Sequence, residues 1–313
     1  GDSCCAVAPD WEYRDVTAIV LTMVSILSLV TPVYQTSAKA KSVPPKAKQT
    51  KAVAVKKSVK APVASVKTIS YPLPDGRAPF VEKIPNSVVS FDMLPVPAMP
   101  DGRKVFMSKF EIQWDVYDIF AYRLDLTESE KAAGVDAAAR PSKPYGAPDR
   151  GFGHKGYACL GMHYQSALKF VEWLSKKTGK KYRLPTEEEW QWAATAGEKP
   201  TVLSAKELGK VAWYWDNAGD KAMEVGKLLP NTWGFYDMLG NVGEWCEDQW
   251  NYFSKDPVTD PRFSGLGAPN TTRVWKGGGY DYLFRNCRLA SRHRLNGDQT
   301  SRVTGFRVVL SDA

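Results

Sequence analysis

Between Lys276 and Arg294 the sequence reads KGGGYDYLFRNCRLASRHR. One thiol, Cys287, stands among glycines, tyrosines and arginines. As a thiolate it would be a nucleophile or a soft metal ligand, and as a buried thiol a small apolar side chain. The other cysteines are Cys4, Cys5, Cys159 and Cys246. Adjacent Cys4 and Cys5 are poorly placed to bond to each other. There is no CxxC, and His154, His163 and His293 lack the spacing of a zinc site. Five arginines are a second chemical resource: Arg273, Arg288, Arg292, Arg294 and Arg307. Guanidinium groups bind carboxylates and carbonyls equally well inside a loop-rich fold, so structural use is the favoured reading over a ligand patch.

These side chains need elements to hold them. FDMLPVPAMPDGRKVFMSKFEI (91–112) reads as short strands broken at Pro100-Asp101-Gly102. WDVYDIFAYRL (114–124) reads as a helix, and 126–155 as a long loop. In HYQSALKFVEWLSKKT (163–178), Ala167, Phe170, Val171 and Leu174 recur on one helical face, and Gly179 ends it. His163 then lies at that helix's start, as a surface or capping residue. Thr186 and Glu189 form a capping box that starts a further helix with Trp190 and Ala194 inward. From Val211 the pattern changes to short aromatic strands and long loops, with AWYWDN and EWCEDQW expected in the core. Helices followed by an irregular β region predict an α+β fold.

The net charge of +8 is unevenly placed. Residues 1–15 sum to −3, and 16–74 hold nine lysines and no acid, leaving about +2 for the remainder. The globular part therefore shows no basic face, and no nucleic-acid partner is expected. Val16 to Ala38 carries no charge and can cross a bilayer as a single transmembrane anchor. The alternative is a signal peptide, with Ala38-Lys39-Ala40 as a cleavage site, although the acidic flank opposes it. Residues 39–70, rich in Lys, Ala, Val and Pro, read as a tether, either a plain spacer or one touching anionic lipid headgroups. The domain plan is thus an N-terminal segment 1–15, anchor 16–38, tether 39–70 and folded domain 71–313.

Four ordered motifs carry a family resemblance: YRLPTEEEWQWAATAG (182–197), WGFYDMLGNVGEWCEDQW (233–250), RVWKGGGYDY (273–282) and GFRVV (305–309). Over roughly residues 85–311 the chain resembles the formylglycine-generating enzyme, or sulfatase-modifying factor, family. The resemblance implies one loop-rich domain, distantly like C-type lectins. It also implies, for catalytic members, two cysteines five residues apart that bind copper(I) and oxidise a substrate cysteine. Here only Cys287 follows the glycine strand, so no copper and no formylglycine synthesis are expected. A further branch, making sulfoxides, needs a helical iron-binding domain that residues 1–70 do not resemble.

The resemblance further implies a disulfide between Cys246 and Cys287, against which stands a plain buried thiol. It implies a calcium loop in DMLGNVGE, with side chains from Asp237 and Glu244 and carbonyls from Gly240 and Val242. The alternative is that Asp237 and Glu244 only hold the turn. A second family calcium site, beginning at Asn217, is not expected, because its later acidic segment is shortened.

Function is expected to be that of a non-catalytic, membrane-anchored accessory or scaffold subunit of a membrane protein assembly. A divergent oxygenase or protein modifier and a calcium-dependent, lectin-like ligand binder are the alternatives. Charge flanks would place the domain in the cytoplasm, whereas the family resemblance implies an extracytoplasmic, periplasmic one, which is the expectation here.

Overall fold

Three S/T-x-x-E sequences punctuate the fold in the computed structural model. At Thr127, Thr186 and Ser204 the side chain accepts the N–H three residues on, and the glutamate there reaches back to the capping residue's own N–H. Each box satisfies donors that the first helical turn leaves open. The structure describes residues 68–134, 148–250 and 272–311. The expected anchor, most of the tether, Cys4 and Cys5 lie outside them. No helix among the described residues is long and apolar enough to cross a membrane.

In chain order the first elements are β1 (Phe80–Lys83), β2 (Ser90–Val96), β3 (Val105–Ser108), α1 (Trp114–Ala121) and α2 (Glu128–Ala132). Then come α3 (Tyr164–Thr178), β4 (Tyr182–Arg183), α4 (Glu187–Thr195), α5 (Ala205–Leu208) and α6 (Trp215–Ala218). β5 (Gly243–Gln249), β6 (Thr272–Lys276), β7 (His293–Asn296), β8 (Thr304–Gly305) and β9 (Val309–Ser311) complete them, with a 3-10 turn at Phe284–Asn286. One antiparallel sheet runs β1-β2-β3-β9-β4 and a second runs β7-β6-β5-β8, with β5 and β8 parallel. The mixture is the α+β class read from the sequence.

α3 forms where its apolar period predicts. Ala167, Phe170, Val171 and Leu174 are buried, and Gly179, at φ +72°, closes the helix in the left-handed conformation that glycine tolerates. His163 is its exposed N-cap, although its side chain makes no cap hydrogen bond. Two expectations need correction. The stretch 126–155 is not all loop, because the Thr127 box starts α2. The tract AWYWDN is not all core, because α6 exposes half of Trp215.

Two apolar clusters carry the packing. One joins α1 and α3 through Tyr117, Phe120, Phe170 and Trp173 to Trp245 and Phe306. The other gathers Met107, Trp190, Phe235, Val274 and Val309, and also holds Cys246 and Cys287. The loop Asp237–Glu244 joins β5 beside both clusters.

Candidate functional site

Glu244 is the second residue of β5 and is fully buried. A buried carboxylate needs compensating charge and hydrogen bonds. Arg307, also fully buried, supplies both: its Nε donates to Glu244 Oε2 at 2.6 Å and its Nη2 to Oε1 at 2.7 Å. Trp190 Nε1 donates to the same Oε2 at 2.6 Å. The guanidinium is completed by donation to the carbonyls of Ser108 (2.9 Å) and Tyr236 (3.1 Å). The Arg307–Glu244 pair thus ties the DMLGNVGE loop and β3 together, and Trp190 joins α4 to it through Glu244.

Two further carboxyls surround this pair. Asp237 sits at φ +53°, and its Oδ2 accepts the Gly226 N–H at 2.7 Å. Its Oδ1 is buried with no hydrogen-bond partner among the described residues, as is Glu111 Oε2. Glu111 Oε1 accepts from Asn241 Nδ2 at 3.1 Å and from the Val242 N–H at 3.4 Å. Burial, reinforced by the charges of Asp237 and Glu244, pushes the Glu111 carboxyl well above the ordinary range. Burial pushes Asp237 up to about 6.

The expected calcium ligands therefore do share one loop. Gly240 takes φ +74° against Trp213, where an added Cβ would meet the Trp213 carbonyl oxygen at 2.1 Å, so only glycine fits. Val242 is buried behind it. Yet the donor set does not fit calcium, which takes six to eight oxygens. Glu244 commits both oxygens to Arg307 and Trp190, so a dication there would face a buried guanidinium. Asp237 Oδ1 is the loop's single uncommitted carboxylate oxygen. Asp237, Gly240, Val242 and Glu244 lie in a turn held by Arg307 and by backbone N–H groups. Asn217 is likewise engaged locally, accepting from Tyr214 N–H and donating to the Ala212 carbonyl.

Of the two readings left open for Cys246 and Cys287, a bridge or plain buried thiols, the structure has the thiols. Both are buried, free thiols. Cys246 Sγ faces the carbonyl of Glu244 on its own strand, at 3.9 Å, whereas Cys287 Sγ faces those of Gly279 (3.9 Å) and Tyr282 (4.0 Å). Burial pushes the Cys287 thiol up to about 11. A thiol so held is a poor nucleophile and a poor ligand at neutral pH. Gly278, at φ +81°, leaves room for that sulfur, since a Cβ there would meet it at 2.7 Å.

The arginines divide. Arg273 is buried, donates to the Glu247 carbonyl and lies over the Tyr164 ring. Arg307 is the central fork. Arg292 pairs with Glu187, and Arg292 and Arg294 lie over Trp250. Arg288 is an exposed cation without an ion pair among the described residues. Sequence reasoning missed Glu111 and Asn241, because no spacing connects residues so distant in the chain. It also missed the buried Lys276, which reaches Gln191 at 3.4 Å and Glu187 at 3.5 Å. Burial lowers the pKa of that amine.

The sulfatase-modifying factor enzyme 1-like domain family matches residues 106–312. The chain is 32% identical over 150 residues to the chaperone protein LppX of Paenibacillus barcinonensis, covering 42% of this chain and 49% of that one. It is 28% identical over 185 residues to the formylglycine-generating enzyme of Streptomyces coelicolor, covering 53% and 56%. The chain spans about half the length of these curated relatives. Among solved structures, Treponema denticola variable protein 1 superposes with a TM-score of 0.60 at 21% identity, covering 75% of this chain and all of that one. PvdO from Pseudomonas aeruginosa superposes with a TM-score of 0.50 at 22% identity, covering 75% and 92%. At these identities the superpositions show the fold. The chain belongs to the sulfatase-modifying factor enzyme 1-like family.

Proposed function

We propose that this family member is a non-catalytic accessory or scaffold module, anchored in a membrane by residues 16–38 and binding a membrane protein assembly through its loop-rich domain. The observation that carries the reading is the state of Cys287. It is the single thiol of the loop after Gly277-Gly278-Gly279, it is buried, and burial raises its pKa to about 11. Copper(I) oxidation of a cysteine needs two accessible thiolates on one metal. The sulfurs of Cys246 and Cys287 are instead turned to separate backbone carbonyls. The second support is that Glu244, Arg307 and Trp190 satisfy one another, which gives the family motifs an architectural use.

The membrane part of the reading rests on the uncharged stretch 16–38 and the lysine tether 39–70, which also suits anionic headgroups. The periplasmic placement rests on the family resemblance alone. The test uses the full chain purified in mild detergent. Supplied with copper(I), oxygen and a cysteine-bearing sulfatase-type peptide, it should leave the thiol unchanged by mass spectrometry. Conversion of that cysteine to an aldehyde would overturn the reading. Native-membrane pull-down should recover a stoichiometric partner, and recovery of the chain alone would count against it.

A further inference from the structure

Trp215, Leu283 and Phe284 are the large apolar residues that this otherwise well-buried aromatic domain leaves open beside its thiol loop. Their exposures are 50%, 37% and 40%. They come from two chain segments fastened together, since the Trp215 N–H donates to the Tyr282 carbonyl at 3.0 Å. The loop beneath is held from three sides. Tyr282 packs edge-on against Trp275 and His293, at 5.5 and 5.2 Å between ring centroids. Cys287 is buried against Gly278. Arg302 clamps Asp281 at 2.5 Å and Asp220 at 2.9 Å. The aromatic face is therefore ordered before anything binds, which lowers the entropic cost of using it.

Two guanidinium groups flank this face. Arg285 and Arg288 are exposed, and neither has a carboxylate partner among the described residues. Asp220 and Asp281 share the single guanidinium of Arg302 and so are held away from Arg285 and Arg288, and Asp216 is a further exposed acid near the face. Rigid aromatic anchors beside unpaired arginines are the composition of binding hot spots. We propose that Trp215, Leu283, Phe284, Arg285 and Arg288 form a docking site for a protein segment carrying an aromatic or leucine anchor flanked by aspartate or glutamate. The apolar side chain covers Trp215 and Phe284, and the acids pair with Arg285 and Arg288. This rests on the accessory reading above and names the chemistry of its partner.

The test uses the full chain in nanodiscs and short synthetic peptides without cysteine. One set places a Trp, Phe or Leu anchor among acids, a second places the same anchor among lysines, and a third has acids without an anchor. The first set should be retained and the others not. Trp215→Ser with Phe284→Ser should weaken retention about tenfold or more. Arg285→Glu with Arg288→Glu should move retention to the lysine set. Unchanged circular dichroism and melting would show that these surface variants remain folded. Equal retention by wild type and variants, or none of the first set, would overturn the site. So would quenching by brominated phosphatidylcholine nanodiscs that Trp215→Tyr abolishes, because the face would then lie on the bilayer. Peptide retention together with cysteine oxidation would keep the site and remove the accessory reading. Catalytic silence with no retention would do the reverse.

Discussion

The interior around Glu244 and the rim around Trp215 use the same kinds of side chain to opposite ends. In the interior, Arg307, Glu244 and Trp190 are fully buried and bonded to one another at 2.6–2.7 Å. At the rim, Arg285 and Arg288 are exposed and have no carboxylate partner among the described residues, and Trp215 and Phe284 lie open. The family motifs fall mostly in the first region. The exposed side chains without partners fall in the second, on a loop whose sequence the motifs do not fix, whereas the interior leaves open only Asp237 Oδ1 and Glu111 Oε2. The motif residues Glu244, Arg307 and Trp190 satisfy one another, whereas the rim residues face solvent.

That contrast breaks first at Arg307. Arg307→Met should strand a buried Glu244 carboxylate and two carbonyls, costing about 3–5 kcal/mol in chemical denaturation. A cost below about 1 kcal/mol would mean that the interior is less committed than its geometry shows. Asp248 sharpens the same point through pH. Burial raises its carboxyl to about 6, while its Oδ2 accepts the Glu187 N–H at 2.6 Å. An unfolded aspartate titrates near 3.9. Between these values the folded form holds a proton that the unfolded form has lost, so stability falls as pH rises from about 4 to about 6. Asp248→Asn keeps an acceptor and removes the titration. Its stability relative to wild type should rise by about 2–3 kcal/mol across that window in melts at successive pH values.

Next in size is Thr186→Ala, which removes the α4 capping box and should cost about 1 kcal/mol by denaturant midpoint. Smallest is the rim itself. Trp215→Ser with Phe284→Ser should change stability by less than about 0.5 kcal/mol while weakening peptide retention about tenfold or more. A large loss of stability there would erase the distinction between the two regions.

Much of this was legible in the sequence, for local reasons. The α3 stripe and the Thr186 box act within a few residues, so period and spacing reveal them. The ordered motifs revealed the family. The interior network was not legible, because Glu111, Asn241, Glu244 and Arg307 meet across as many as 196 positions of the chain. Read alone, DMLGNVGE offers two carboxylates to a cation, and only the fold shows that a guanidinium has taken Glu244. Cys246 and Cys287 share an apolar cluster yet point at different carbonyls, a matter of side-chain direction that no spacing encodes. Trp215 was read as core because tryptophan is usually buried, and its exposure depends on how α6 abuts the Tyr282 turn.

The strand β9 lies between β3 and β4, pairing Val105 with Ser311 and Tyr182 with Leu310. Synthesis makes β3 and β4 long before β9, and both must wait with a vacant hydrogen-bonding edge. Such distant pairings close slowly, and open edges invite association with other nascent chains. This sheet therefore closes late, only once residues 309–311 are free to pair with both neighbours.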